Sequence, residues 1–292
     1  MKNLIGDSPA MRRLRNTLPL VAAAQVGVLL RGEPGTGKES LARAIHAASA
    51  QRSGPFVTFA CTGAPPEAFA RTLGQLPSGP AVLYLDEVGE LNAEEQARLL
   101  FAIAGQDGAV APAPLRIIAA TSQDLDGLVR QGRFRRDLDL RLCVVPLEVP
   151  PLRERLLDLP ALTAQFIAQA AQRHRLEPVR LKPSAERLLR RYLWPGNLRE
   201  LANLCERLVI LLPGTEIGPE NLPSEILRGT PPSEQALGIA LPPHGIDLND
   251  LEAELIRQAL SLSGGNKSRA ARLLGLTRDT LLYRLQKHLI VG

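Results

Sequence analysis

Apolar residues in the N-terminal half recur in short runs that end at turn-forming residues. The runs at 26–31 (VGVLLR), 81–85 (AVLYL) and 115–120 (LRIIAA) predict buried strands. Residues 38–50 instead carry apolar residues at helical spacing. Strands that alternate with helices indicate a parallel sheet covered by helices, so we expect an α/β fold in this half of the chain.

From about residue 156 onward the spacing of apolar positions becomes helical. Residues 156–174, 183–193 and 197–212 carry apolar residues at i, i+3 and i+4, which predicts an all-helical second part. Residues 229–246 are rich in Pro and Gly without a clear period, which is typical of a linker. Helical spacing returns after it. We therefore predict four parts: an α/β part at 1–155, a helical part at 156–228, a linker at 229–246 and a helical domain at 247–292.

Composition limits the class of protein. The 292 residues are 45% hydrophobic and 22% charged, which is ordinary for a globular protein of two or three domains. No apolar run approaches the roughly 20 residues that a membrane span needs, so we expect no membrane partner and a cytoplasmic location. Cys61, Cys143 and Cys205 are far apart and lack metal-ligand spacing, so we interpret them as reduced, buried thiols.

The net charge of +5 lies entirely at the C-terminal end. Residues 264–292 carry six basic residues and one acidic residue, whereas the other 263 residues sum to zero. A small basic segment on a neutral body is typical of contact with nucleic-acid phosphates. A solvated helix face would carry the same charge, so the charge alone leaves both interpretations open.

The turn after the first predicted strand carries a phosphate-binding motif. Residues 32–39 (GEPGTGKE) match G-x-x-x-x-G-K between a strand and a helix. Backbone N–H groups of such a turn can surround phosphate oxygens, and the helix N-terminus adds its dipole. Lys38 would reach the β- and γ-phosphates, whereas Glu39 stands where the general motif has a Ser or Thr that binds magnesium. The candidate phosphate contacts are Gly32, Glu33, Pro34, Gly35, Thr36, Gly37, Lys38 and Glu39.

A second motif is an apolar strand that ends in two acids, at 83–87 (LYLDE). Asp86 would hold Mg²⁺ directly or through water, and Glu87 would orient or deprotonate an attacking water. Two acids after a strand are often only solvated side chains at the strand end. The phosphate-binding motif upstream favours a role in binding Mg²⁺ and water instead. We therefore expect ATP and Mg²⁺ as cofactors, and leave open whether ATP is hydrolysed or only bound.

Six segments in order resemble one family. GEPGTGKE, LYLDEVGEL, RIIAATSQDL, FRRDLDLRL, VPPLRER and WPGNLREL resemble the AAA+ domain of bacterial enhancer-binding proteins, the activators that remodel RNA polymerase carrying sigma-54. The resemblance covers essentially the whole chain. It implies a P-loop AAA+ nucleotide-binding subdomain at 1–155 and a helical lid at 156–228. In that family Glu also follows the P-loop lysine, as Glu39 does here.

The resemblance implies roles for residues outside the two motifs. Ile5 and Gly6 match the segment that lines the adenine pocket. Thr121 and Ser122 fall at sensor I, where the family usually has Thr-Asn. Arg199, in the WPGNLREL segment, matches sensor II in the helical lid.

Two further arginines match the family's arginine fingers. Arg135 and Arg141 correspond to the pair that reaches the γ-phosphate of a neighbouring subunit. A guanidinium supplied from a neighbour neutralises charge on the transferring phosphoryl group. The resemblance therefore implies an active site between subunits, and we expect the chain to self-associate into a dimer or a ring.

The sequence departs from the family in two places. Family members carry a GAFTGA-containing loop before the Walker B strand, and that loop touches sigma-54. Here the hexapeptide is absent, and only 24 residues separate Cys61 from Asp86. Ala60 replaces the family's Asn, whose amide bonds the Walker B glutamate, a bond that alanine cannot make. We therefore hypothesise that the chain does not remodel sigma-54 polymerase, and that its AAA+ body is a nucleotide-responsive oligomerisation scaffold.

The C-terminal segment has the pattern of a helix-turn-helix. Asn266 can cap a helix at 267–274, Gly275 can end it, and Thr277 can cap a second helix at 278–288. The segment resembles a Fis-type helix-turn-helix, which implies that 247–262 is a dimerisation helix and that the partner is double-stranded DNA with an inverted repeat. The candidate DNA contacts are Asn266, Lys267, Arg269, Arg278, Asp279, Thr280, Tyr283, Arg284 and Lys287.

Three functions stay open at this point. The first is a nucleotide-modulated transcription regulator without sigma-54 contact, and the second is a sigma-54 activator with an atypical contact surface. The third is an AAA+ enzyme, such as a clamp loader or protein remodeller, with an incidental tail. The Fis-like tail argues against the third. Because family members usually begin with a sensory domain, we expect control by a partner protein, unless the chain is a fragment. RNA polymerase or a regulatory protein is the expected protein partner.

Overall fold

The apolar runs of the N-terminal half pair in one parallel sheet, which confirms the α/β prediction. We describe the chain from a computed structural model that covers residues 5–65, 67–77, 79–104, 115–228 and 248–288. Within these ranges five strands lie in the order β2-β3-β4-β1-β5, and every neighbouring pair is parallel. The strands are β1 (Val28–Arg31), β2 (Phe56–Ala60), β3 (Ala81–Asp86), β4 (Leu115–Thr121) and β5 (Val145–Glu148).

Helices cover both faces of the sheet. Because side chains of a strand alternate between faces, Leu30 packs in one core cluster with α1 and α2, and Leu29 packs in another with α3 to α6. Parallel strands need crossover connections of this kind. The helices are α1 (Pro9–Ala23), α2 (Lys38–Ala48), α3 (Ala68–Gly74), α4 (Ala93–Ala104), α5 (Leu125–Arg130) and α6 (Arg136–Leu142).

The next part of the same unit is mainly helical and packs around one aromatic side chain. Trp194 is fully buried, and its Nε1 donates to the carbonyl oxygen of Leu189 at 2.9 Å. The helical spacing of the sequence is confirmed here, and a short parallel strand pair is added to it. The elements are α7 (Leu159–His174), β6 (Arg180–Leu181), α8 (Pro183–Arg191), α9 (Asn197–Leu211), β7 (Glu216–Ile217) and α10 (Ser224–Arg228).

A second unit, divided from the first between Pro231 and Pro232, holds α11 (Leu248–Leu262), α12 (Lys267–Leu273) and α13 (Arg278–Lys287). Both predicted caps are present. Asn266 Oδ1 accepts from Arg269 N at 3.1 Å, and Thr277 Oγ1 accepts from Thr280 N at 3.2 Å. Gly275 between the helices has φ +67°, which favours glycine. The predicted linker at 229–246 lies outside the described residues, and the predicted domain boundaries stay predictions.

In the described part of the chain, no helix has both the length and the apolar character to span a bilayer.

The cysteines are unpaired, and Cys61 and Cys205 are buried as predicted, whereas Cys143 is only half-buried. Burial raises the pKa of the Cys205 thiol to about 12.

The C-terminal end of α1 is held by a buried arginine of β4. Arg116 is 3% exposed, and its guanidinium donates to the carbonyl oxygens of Val21 at 2.6 Å and Ala22 at 3.1 Å. Burial lowers the pKa of Arg116. The last carbonyls of a helix lack intrahelical partners, so the guanidinium satisfies them where water is excluded.

Arg116→Met should therefore lower the free energy of unfolding of the larger unit by about 2 kcal/mol, because it leaves two buried carbonyls without donors. Arg98→Met is the matched control: Arg98 forms an exposed i,i+4 pair with Glu94, worth less than about 0.5 kcal/mol. Calorimetric or chemical unfolding of both variants measures the difference. Equal stability of Arg116→Met and the parent would show that desolvation of the guanidinium offsets its bonds.

Candidate nucleotide site and DNA-binding unit

Residues 32–37 form a tight turn between β1 and α2. Gly35 and Gly37 have φ angles of +77° and +97°, in the left-handed region that favours glycine. A Cβ at Gly35 would lie 2.4 Å from the carbonyl oxygen of Gly196 in the helical part, so a larger residue does not fit. The turn leads into the N-terminus of α2, where backbone N–H groups and the helix dipole favour an anion.

Lys38 is the first residue of α2, and only 6% of it is exposed. Its Nζ donates to the carbonyl oxygen of Gly32 at 2.8 Å and pairs with Oε1 of Glu87 at 2.9 Å. A buried ammonium needs partners of this kind, because losing its hydration is costly. They hold the positive charge beside the turn for which the sequence predicts phosphate contacts.

Glu87 connects three segments of the site. It follows β3 with φ +57°, an uncommon conformation for a residue with a Cβ. One oxygen accepts from Lys38, and the other accepts from the backbone N–H of Ser122 at 2.7 Å and from its hydroxyl at 2.9 Å. The glutamate is therefore held without the family's Asn, whose position Ala60 takes. Sequence reasoning assigned Ser122 to the site but did not predict this contact.

Asp86 has a partner that sequence reasoning missed. The buried phenol of Tyr84 donates to Asp86 Oδ1 at 3.0 Å. Burial raises the pKa of Tyr84, and the negative charge of Asp86 raises it further. Residues at i and i+2 of a strand share a face, so the period of β3 was a signal that could have identified the pair.

The acids at the end of β3 fit a magnesium ion that is also bound by a phosphate. Mg²⁺ at phosphate sites is held by one or two carboxylates, with phosphate oxygens and waters as further ligands. In the described ranges, no group of three or more His, Cys, Asp or Glu side chains could hold a metal by itself. Asp86 supplies one carboxylate of this kind in the cleft that the phosphate turn also lines.

A cleft of about 640 Å³ collects most of the candidate residues. Glu39 lies at its edge, where Oε1 accepts from Arg43 at 2.9 and 2.6 Å, so its carboxylate is already paired. Arg199, on the first turn of α9, lines the opposite side. The predicted residues that line this cleft are Pro34, Gly35, Thr36, Gly37, Lys38, Glu39, Asp86, Glu87, Ser122 and Arg199.

A second pocket of about 290 Å³ includes Thr36 and Gly37 of the phosphate turn, and both polar and apolar side chains line it. Ile5 lines it as predicted, together with Phe166 of α7 and Leu198 of α9. Arg155 closes one wall, and its guanidinium donates to the carbonyl oxygen of Thr36 at 2.7 Å. The size and lining suit a planar base. Phe166 was missed because the helical period alone marks it as an ordinary core position.

Three predicted residues lie beside the cleft rather than in it. Gly6 packs against the carboxylate of Asp158, which a Cβ would contact at 2.4 Å. Gly32 accepts from Lys38 through its carbonyl and donates its N–H to the carbonyl of Thr121 at 3.2 Å. Glu33 points to the helical part of the unit, where it pairs with Arg153.

The two predicted arginine fingers do not line the cleft of their own chain. Arg135 precedes α6, and its guanidinium donates to Asp137 at 3.0 and 2.8 Å on an exposed surface. Arg141 lies in the last turn of α6. To reach a phosphate bound to a neighbouring chain, the guanidinium of Arg135 would therefore have to release Asp137 and bind that phosphate instead.

Two of the candidate DNA contacts on α13 have partners within the unit. Arg284 forms an ion pair with Glu252 of α11. Lys287 Nζ donates to Glu252 Oε2 at 3.2 Å and to Asn249 Oδ1 at 3.1 Å. His288 Nε2 is 2.8 Å from the same carboxylate. These pairs connect α13 with α11, so Glu252 would compete with a DNA phosphate for Arg284 and Lys287.

Other candidate contacts on α12 and α13 are exposed to solvent. Arg278 is exposed and Tyr283 is 69% exposed. The oxygen of Asn266 is used as a helix cap. The side chain of Asp279 lies outside the described part of the structure. The other predicted contacts with solvent access are Lys267, Arg269 and Thr280.

Comparison with protein-family models gives three adjacent matches. The model described as "Sigma-54 interaction domain" matches residues 5–152. The model described as "AAA+ ATPase lid domain" matches 153–238, and the model described as "Bacterial regulatory protein, Fis family" matches 247–288. Together they cover nearly all of the chain.

Individual proteins are similar over almost the same length. The transcriptional regulatory protein ZraR of Klebsiella oxytoca is 42% identical over 97% of this chain and 68% of its own length. The DNA-binding transcriptional regulator NtrC of Azospirillum brasilense is 36% identical over 97% of this chain and 69% of its own. A crystal structure of NtrX from Brucella abortus in complex with ADP matches with a TM-score of 0.69 and 34% identity, over 99% of this chain and 69% of that one.

The pairing of Lys38 with Glu87 gives a prediction for anion affinity. A phosphate that enters the turn must share Lys38 with a carboxylate, so Glu87→Gln should bind ADP more tightly. Loss of a competing charged hydrogen bond is worth about 1 kcal/mol, or roughly a fivefold lower Kd.

Glu90→Gln is the matched control, because Glu90 lines the same cleft but bonds Gln123 instead of Lys38. Calorimetric titration with ADP measures both variants. Weaker binding by Glu87→Gln, or equal tightening by both variants, would contradict competition for Lys38.

Proposed function

Because the chain belongs to the family of sigma-54-interacting AAA+ regulators with a Fis-type DNA-binding domain, we propose that nucleotide bound at its P-loop controls how it self-associates on DNA. Membership makes it a DNA-binding transcriptional regulator with an ATP-binding domain. We further propose that bound nucleotide controls assembly of the AAA+ body into a scaffold. That scaffold would not contact sigma-54 through the usual loop.

The position of Lys38 is the observation that most directly supports nucleotide binding. Its ammonium is buried beside a turn of left-handed glycines, at the N-terminus of α2 and next to Asp86 and Glu87. NtrX, a similar protein, has been crystallised with ADP and with ATP. In this chain the phosphates would lie on the turn, with the base in the pocket lined by Ile5 and Phe166.

The acids of β3 would act on the phosphates from the other side. Asp86 would hold Mg²⁺ while Tyr84 fixes its Oδ1. Bound there, Mg²⁺ would neutralise charge on the phosphate oxygens. Glu87 would accept a proton from a water held near Ser122, once the nucleotide takes over Lys38.

The exposed position of Arg135 supports assembly of several chains. It lies outside the cleft of its own chain, and its guanidinium forms an ion pair with Asp137 at the surface. A neighbouring chain with a bound triphosphate would offer a stronger anion, so the nucleotide would favour self-association. Arg141 would enter the same interface, giving a dimer or a ring.

Two features of the site support a scaffold over a sigma-54 remodeller. The segment between β2 and β3 holds the short helix α3, and its sequence contains no GAFTGA. Glu87 is tied to Ser122 and Lys38 rather than to the strand that leads to that segment. The match of a sigma-54 interaction model to 5–152 favours the second candidate, an activator ATPase that touches RNA polymerase through another surface.

DNA binding by the second unit should depend steeply on salt. Arg278→Gln should weaken binding to a double-stranded site and reduce the slope of log K against log salt by about one, the value for one lost phosphate contact. Arg257→Gln is the control, since Arg257 pairs with Glu254 on α11. Gel shifts over a salt series, with fragments selected from bound genomic DNA, measure the slope. Binding that ignores salt would refute the assignment of this unit to DNA.

Transcription in vitro separates the two candidate functions. With sigma-54 RNA polymerase and a promoter near a bound site, we expect this chain to give no ATP-dependent open complexes, because its sequence contains no GAFTGA. A family member that carries GAFTGA is the positive control on a standard promoter. Open complexes that depend on this chain and on ATP would end the scaffold proposal and establish the activator.

A further inference from the structure

A buried amide joins the phosphate turn to the helical lid. Asn197, the first residue of α9, is fully buried. Its Oδ1 accepts from the backbone N–H of Leu152 at 2.8 Å, and its Nδ2 donates to Glu33 Oε2 and to the carbonyl oxygen of Pro34, both at 3.1 Å. Both ends of the amide are used, and each faces a different segment of the chain.

The phosphate turn is held from the lid at three successive residues. Glu33 also accepts two bonds from Arg153, at 2.8 and 2.5 Å, and this bonding lowers the pKa of Glu33 against the opposing effect of burial. Pro34 is bonded to Asn197. The carbonyl of Gly35 accepts from Leu198 N at 2.9 Å.

The lid segment that makes these contacts has an unusual backbone. Trp194 and Asn197 have φ angles of +55° and +53°, a strained conformation for residues with a Cβ that persists only when the surroundings fix it. Asparagine tolerates this region better than most residues. Arg199, which lines the cleft, follows two residues later, so the same contacts set where its helix begins.

We propose that Asn197 is a positioning residue for the nucleotide: it fastens the turn at 33–35 to the lid, so that phosphate in the turn changes the environment of α9 and Trp194. This inference rests on nucleotide binding at the P-loop, as proposed above. It assigns the coupling between the phosphate turn and the lid to the bonds that the Asn197 amide makes with Glu33 and Pro34.

The chain supplies its own reporter, because Trp194 is its single tryptophan. We expect ADP to change the fluorescence of Trp194 in the parent chain. Asn197→Asp keeps the oxygen that accepts from Leu152 but replaces the donor with an oxygen facing Glu33 and Pro34. The variant should bind ADP at least about fivefold more weakly, and ADP at saturation should change the fluorescence of Trp194 less than in the parent.

Two further variants separate positioning from general damage. Asn16→Asp places the same substitution at an exposed position of α1, on another element than the lid contact, and should match the parent in both readouts. Adding Glu33→Gln to Asn197→Asp reverses donor and acceptor across the contact. The double variant should regain a measurable part of the affinity and of the fluorescence change.

Each outcome decides the inference. Parent-like affinity and fluorescence change in Asn197→Asp would overturn it, and so would a folded double variant that regains neither. If Asn197→Asp fails to fold, judged by circular dichroism, the double variant alone is compared with Glu33→Gln, and a full loss again overturns the route. If the parent chain binds no ADP, the proposed function itself fails, which is a distinct result.

Discussion

The backbone turn between β1 and α2 keeps its shape because groups from distant parts of the chain hold it on every side. Its glycines have left-handed φ angles, and it lies outside the ladder of the sheet, so its own residues supply little support. From the sheet side, Glu87 fixes Lys38. From the lid side, Asn197 bonds Glu33 and Pro34, while Arg155 bonds the carbonyl of Thr36. The turn is thus a shared boundary of sheet and lid, and this is why a ligand in it can affect both.

Local spacing predicted the parts of the site that lie on consecutive residues. The P-loop, the acids after β3 and the two helix caps of the DNA-binding unit depend on neighbours within a few positions, and those were found from the sequence. The ties between Glu87 and Ser122, and between Asn197 and Glu33, join residues 35 and 164 positions apart. No periodicity encodes such pairs. They follow only from the order of strands in the sheet and the return of the lid over the turn.

Other elements were missed for physical reasons that can be named. Helix α1 contains Pro19, which interrupts the pattern of a helix, and β5 is a half-buried edge strand that contains Pro146. In the tail, the helix-turn-helix pattern made Arg284 and Lys287 candidate DNA contacts, but both side chains pair with Glu252, which lies far upstream in the sequence. Part of the basic charge is therefore paired within the unit, whereas Arg278 at the start of α13 is exposed.

The account depends most directly on anion binding at Lys38, and calorimetry of the whole chain tests it. The parent should bind both ADP and ATP, and Lys38→Ala should lose nearly all of that heat while keeping its fold by circular dichroism. If the parent and Lys38→Ala behave alike toward both nucleotides, the turn is not a nucleotide site, and only a DNA-binding protein with an unused AAA+ body is left.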